Sequence, residues 1–165
     1  MQEIQLSELS SVLQSVCTGA TLDRPTTGYI FQLLFATGLR ASEALETWRW
    51  QPDPAGGYVV QLSKREKTRH IPASSIPPAI LDYYANQRPF IFETYSSINN
   101  TFRIFAPGLA FEGVKRTTTC HAFRYHYIKQ LRAQGLTITD IAAHIGHINE
   151  NSSKGYVYAL MYRGA

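Results

Sequence analysis

The stretch TTGYIFQLLFATGLR, residues 26–40, limits the possible folds more than any other part of the chain. It is apolar almost all round from Tyr29 to Ala36, so a helix built from it has no polar face to show to water and is expected to be buried. Gly38 sits where such a helix should end. Arg40 follows at once. An arginine set against an apolar element is costly unless it finds an anionic partner, and Glu43 lies one helical turn further on. Taken alone, the pair reads equally as a local surface salt bridge or as part of a site.

The flanking sequence supplies the rest of a globular fold. LSELSSVLQSVC has apolar residues at helical spacing, with Ser7 as a possible N-cap. ASEALETW resumes helical composition after Arg40. Then β-forming residues cluster at 47–50, 58–62 and 70–71, separated by Pro, Gly and charged turns, which predicts an antiparallel sheet of two or three strands. Pro77 and Pro78 suit the first turn of a helix reaching about residue 87. Residues 90–100 read as helical and 106–119 as a loop. Thr118 or Thr119 caps a helix CHAFRYHYIKQLRAQG that stops at Gly135, and Thr137 with Asp140 caps a short helix after it. Residues 152–162 form a last helix candidate. The expected class is α+β, mostly helical, with one small antiparallel sheet near the N-terminal third, in a single domain over residues 1–165.

Composition excludes several function classes. Hydrophobic residues make up 44% and charged residues 17% of the 165 positions, which argues against disorder. No apolar run approaches the roughly 20 residues of a membrane span, and MQEIQLSELS lacks the basic start and apolar stretch of a signal peptide. A cytoplasmic location is expected, with Cys17 and Cys120 as free thiols. The net charge of +4 is compatible with nucleic acid without proving it. Lys64, Arg65, Lys67, Arg69 and His70 form one basic cluster, and Arg124, Lys129 and Arg132 another along a helix. Either cluster could equally be a solvated face.

Three further groups can carry chemistry. His121 and Arg124 in HAFR share a helical face, an arrangement suited to clamping an oxyanion or phosphate, or simply to facing solvent. His144 and His147 are close enough to chelate, but no CxxC or HExxH accompanies them, so no metal site is expected and His144 reads as a helix-face or core histidine. Tyr156 and Tyr158 follow near the end. A phenol with a pKa of roughly 10 attacks only where cations stabilise the phenolate and the charge developing on its target.

In order and spacing these pieces resemble the catalytic domain of the tyrosine recombinases, or phage integrases, from about Leu6 to Tyr162. TGLRASE matches the box holding the family's first arginine. SKREKTRHIP matches the hairpin turn that carries its lysine, HAFR its H-x-x-R box, and IGH its L-G-H box with one conservative departure. The nucleophile's place, nine residues past that histidine, falls on Tyr156. The resemblance implies a site-specific DNA recombinase that cuts and rejoins strands through a 3′-phosphotyrosine. In it Arg40, Lys64, His121, Arg124, His147 and Tyr156 are catalytic and Glu43 supports Arg40. Lys67, Arg69 and Lys129 contact DNA, no cofactor or metal takes part, and double-stranded DNA is the partner, bound by a tetramer on two sites.

The box alignment favours Lys64 over Lys67 as general acid, and spacing favours Tyr156 over Tyr158. The family's N-terminal DNA-gripping domain is expected to be absent, leaving weak, salt-dependent affinity. The apolar tail VYALMYRGA could dock on a neighbouring subunit or pack within its own chain. Two alternatives remain open: a type IB topoisomerase-like nicking-closing enzyme, and a DNA-binding accessory module without catalysis.

Overall fold

A computed structural model describes residues 2–63, 67–112, 119–146 and 150–163. The chain runs through β1 (Gln2–Glu3), α1 (Leu6–Asp23), α2 (Pro25–Thr37), α3 (Ala41–Leu45), a 3-10 turn (Thr47–Arg49), β2 (Trp50–Pro52), β3 (Tyr58–Gln61), β4 (Thr68–Ile71) and a second 3-10 turn (Ala73–Ser75). It continues through α4 (Pro78–Ala85), α5 (Tyr95–Phe105), β5 (Leu109–Glu112), α6 (His121–Ala133), α7 (Ile138–Ile145), α8 (Glu150–Tyr158) and β6 (Leu160–Arg163). Two antiparallel three-stranded sheets result, ordered β2-β3-β4 and β1-β6-β5.

Helix α2 is the centre of the molecule, as its all-round apolar sequence requires. It packs against α1, α4 and α6, and Ile30, Phe31, Leu33 and Leu34 are essentially inaccessible to water. Phe31 meets Phe123 of α6 at 5.4 Å between ring centroids and Phe102 of α5 at 6.1 Å, edge-on to the latter. Each such ring stabilises the fold by about 1.5–3 kcal/mol relative to leaving it exposed.

The helix stops at Gly38, which adopts φ +67° and donates its N–H to the Leu34 carbonyl. A side chain there is excluded twice over. The backbone is left-handed, and a Cβ would lie 2.3 Å from Cδ1 of Tyr127. Gly38→Ala is therefore expected to lower stability by at least about 1 kcal/mol, read as a reduced urea midpoint with an unchanged slope.

Several local expectations shift. Helix α1 begins at Leu6 with Gln5 as its unbonded cap, so Ser7 lies inside the helix rather than capping it. Residues 47–49 form a 3-10 turn, and the strand starts only at Trp50. The helix expected at 90–100 starts instead at Tyr95, because Thr94 and Ser97 form a reciprocal capping box there. Phe90 stacks on Tyr83 at 4.3 Å, outside any helix. The expected loop 106–119 contains β5, and the last helix ends at Tyr158, where the chain turns into β6. The capping box of Thr137 and Asp140 forms as the sequence suggests.

The C-terminal segment thus packs within its own chain. Strand β6 is the middle strand of its sheet, paired to β1 through Gln2↔Arg163 and to β5 through Leu109↔Arg163. Met161 is buried beneath it. Both cysteines are buried free thiols, their acidity suppressed by burial to a pKa of about 12. No helix among the described residues is long and apolar enough to cross a membrane.

Candidate active site

Arg40 occupies the N-cap of α3, two residues beyond the glycine that ends α2. Its backbone N–H donates to Glu43 Oε1 at 2.8 Å, and its Nη1 lies 3.4 Å from Oε2. Glu43 is inaccessible to water and therefore needs every acceptor position filled. Oε2 also accepts from the Ser63 N–H at 2.9 Å and the Ser63 hydroxyl at 3.2 Å. One carboxylate thus ties Arg40 to the end of β3, where the hairpin turn begins.

The neighbouring backbone is fixed by aromatic groups. The Trp50 indole N–H donates to the Glu43 carbonyl at 2.9 Å, and the Tyr84 hydroxyl donates to the Ala44 carbonyl at 2.7 Å. Trp50 and Tyr84 stack at 3.8 Å. Glu43→Ala removes the carboxylate from three buried or half-buried donors and a cation. It is expected to cost about 3 kcal/mol of stability, seen as a lower denaturation midpoint.

Helix α6 brings the second basic group. His121 stands half-buried in its first turn, its N–H 3.3 Å from the Thr119 hydroxyl. Arg124, one turn on, is only 1% exposed. Its Nη1 donates to the Gly38 carbonyl at 2.7 Å, so the peptide that ends α2 also receives the α6 arginine. Burial lowers the Arg124 pKa to about 10; the Arg40 guanidinium adds to the lowering, while Tyr156 and Glu43 oppose it. The side chain stays protonated at neutral pH, and the two arginines feel each other's charge.

Tyr156 lies near Arg124, whose Cζ is 6.0 Å from the centre of the phenol ring. The ring is half-buried against both hydrophobic clusters of the protein. Tyr158 is 71% exposed, as expected for a residue about 200° further round the same helix. Helix α6 also holds the end of α8. Tyr125 donates its hydroxyl to the Ala159 carbonyl at 2.9 Å, and the Lys129 ammonium donates to the Val157 carbonyl.

The remaining sequence candidates fall in different places. Lys129 is occupied with α8, half-buried and 5.3 Å from the Tyr125 ring. Lys67 is exposed beside the hairpin turn. Arg69 points inward from β4 and donates to the Tyr127 hydroxyl at 3.0 Å. Lys64 and His147 lie outside the described residues. Arg40, Glu43, Arg124 and Tyr156 are brought together, although 116 positions separate Arg40 from Tyr156 in sequence (156 − 40). The parts that sequence reading missed are Ser63, which completes the Glu43 carboxylate, and the Tyr127–His144 contact. Ser63 opens the SKREKTRHIP box without standing out in it, and only the fold reveals either contact. Among the described residues no group of three His, Cys, Asp or Glu side chains is placed to hold a metal ion.

The arrangement is one of paired guanidiniums beside a phenol, the equipment for transferring a phosphoryl group to tyrosine. No family model matches the chain. It is 22% identical over 175 aligned positions to "Tyrosine recombinase XerD" of Listeria innocua serovar 6a, an alignment covering 97% of this chain and 59% of that protein, and it is equally similar to the XerD of Listeria monocytogenes serovar 1/2a. The chain thus spans well under two thirds of these relatives' length.

Among solved structures, XerH site-specific recombinase bound to its difH substrate superposes with a TM-score of 0.63 at 16% identity, over 96% of this chain and 50% of that one. XerA recombinase gives 0.61 at 19% identity, over 90% and 58%. The Tn1549 transposon integrase in complex with a circular intermediate DNA gives 0.51 at 16% identity, over 94% and 60%. The chain is thus similar in sequence to these XerD recombinases and shares its fold with the solved recombinase structures.

Proposed function

We propose that this chain is the strand-cutting part of a site-specific DNA recombinase that works through a covalent tyrosine–DNA link. The observation that carries this reading is Arg124: a buried guanidinium 6.0 Å from the Tyr156 ring and close enough to Arg40 to feel its charge. Two neighbouring cations, one of them buried, repel each other in the empty protein, and a phosphodiester between them relieves that repulsion.

Arg40 and Arg124 hold the nonbridging oxygens, whose charge grows as phosphorus is attacked. They do the work that metal ions do in many nucleases. The Tyr156 oxygen attacks phosphorus in line, and the bond to the 5′-oxygen breaks. The phenolic proton leaves through His121 or His147, while Lys64 protonates the departing 5′-oxygen. The product is a 3′-phosphotyrosine and a free 5′-hydroxyl. A 5′-hydroxyl from a second strand reverses the same steps and needs no ATP, because the ester bond is conserved. Glu43 takes no part in proton transfer and keeps Arg40 and the hairpin in place. Duplex DNA is the partner, and the active assembly is a homotetramer on two sites.

The test is covalent trapping on supercoiled DNA at low salt with a chelator present, followed by denaturation in SDS. An adduct that survives the chelator supports both the covalent route and its independence of metal. If none forms on cognate sites, the chain is a DNA-binding accessory module and the proposal is wrong.

A further inference from the structure

We propose that Tyr127 and His144 form a positioning pair that holds the Arg69 guanidinium near Arg124, where it supplies an additional arginine contact to a phosphate of the bound strand. The inference rests on the DNA-cutting role proposed above and extends the same site.

Arg69 is placed unusually for a charged residue. Along β4 side chains alternate, and Arg69 shares the inward face with the buried Ile71, while Thr68 and His70 face out. Turning a guanidinium inward is costly unless a partner or a ligand compensates it. Its partners in the structure are neutral and aromatic: the Tyr127 hydroxyl at 3.0 Å and the Tyr127 ring, 5.3 Å from Cζ. Among the described residues it forms no salt bridge. Tyr127 takes one of the five N–H donors of the guanidinium and fixes its direction.

Tyr127 is itself anchored to the site. Its ring closes on Gly38, the glycine whose carbonyl receives Arg124 at 2.7 Å and which precedes Arg40 by two residues. Tyr127, which holds Arg69, and Arg124 therefore both contact Gly38. Arg69 is also close enough for its charge to be felt at Arg124 and for that of Glu43 to be felt at Arg69.

The direction of the hydrogen bonds follows from chemistry. An arginine only donates, so the Tyr127 oxygen accepts from Arg69; where His144 Nε2, 2.8 Å away, carries no proton, the Tyr127 hydroxyl donates to it. In that arrangement the neutral His144 ring has its proton on Nδ1. Burial, and secondarily the charge of Arg69, lower its proton affinity in agreement. The imidazole lies nearly parallel to the Tyr127 ring, at 18° and 5.9 Å. The pair is thus a strut from α7 through α6 to β4, ending on a cation.

The experiment is noncovalent binding to a short duplex of arbitrary sequence, followed by fluorescence anisotropy across a salt series, with folding checked by circular dichroism. Losing one phosphate contact flattens the slope of log K against log salt by about 0.9. Arg69→Ala and the better-packing Arg69→Gln should each show that loss and bind about tenfold more weakly. Tyr127→Phe keeps the ring and loses the strut. In that background Arg69→Ala should cost less than about threefold more, the non-additivity of residues acting together. An unchanged slope in both Arg69 variants, or additive losses in the double variant, overturns the proposal. Arg40→Ala and Arg124→Ala in the same series separate the two levels of inference. If they flatten the slope and Arg69 variants do not, only the extra contact fails. If none does, the phosphate site as a whole is wrong.

Discussion

Arg124→Ala is expected to slow single-turnover strand cleavage by at least about 10²–10³-fold, the usual penalty for deleting one preorganised donor to a transition-state anion. The expectation follows from position. Arg124 touches the peptide that precedes Arg40 and faces the phenol that is to be activated. Because the side chain is buried, alanine also leaves a cavity and an unmatched Gly38 carbonyl, so a second variant is needed. Arg124→Lys retains the charge and much of the volume but loses the planar fork that grips two oxygens at once. It should fold normally and still lose about two orders of magnitude in cleavage. Rates measured on nicked substrates at saturating DNA, beside thermal melts, separate chemistry from folding. Cleavage by Arg124→Lys within a few-fold of wild type would remove the arginine from the phosphate clamp.

Tyr156→Phe should abolish the covalent adduct entirely while leaving noncovalent affinity within about threefold of wild type, since one hydroxyl is lost and every cation stays. The ring remains in its place against both hydrophobic clusters, so stability should change little. Tyr158→Phe is the matched control. Its side chain faces solvent on another side of α8, and the adduct should form as in wild type. Peptide mapping of the trapped complex gives a direct reading: phosphate on Tyr158 would mean that α8 presents the wrong face to the arginines.

How much of this was legible before the fold was known depended on how local the signal was. The all-round apolar helix, its stop at Gly38 and the capping box at Thr137 come from contacts within a few residues, and they appear where the sequence places them. The Arg40–Glu43 pair is likewise local. The sheet β1-β6-β5 was invisible for the opposite reason. Its strands have two to four residues each and come from both ends of the chain, so no periodicity announces them. Arg69 was recognised as basic, but its inward orientation depends on pairing with Val60 across the hairpin. His144 reads in the sequence as a helix-face or core histidine, because its meeting with Tyr127 depends on how α6 and α7 pack.

The position of β6 also sets an order in time. Its hydrogen bonds require Gln2–Glu3 and Leu109–Glu112 to be in hand before residues 160–163 can dock. Pairing across such a separation is slow to close and comes late. Helix α8 is gripped from that end, through the carbonyls of Val157 and Ala159. Until β6 docks, α8 is held from α6 and α7. On the function proposed here, the last strand to pair is the one that completes the setting of the nucleophile's helix.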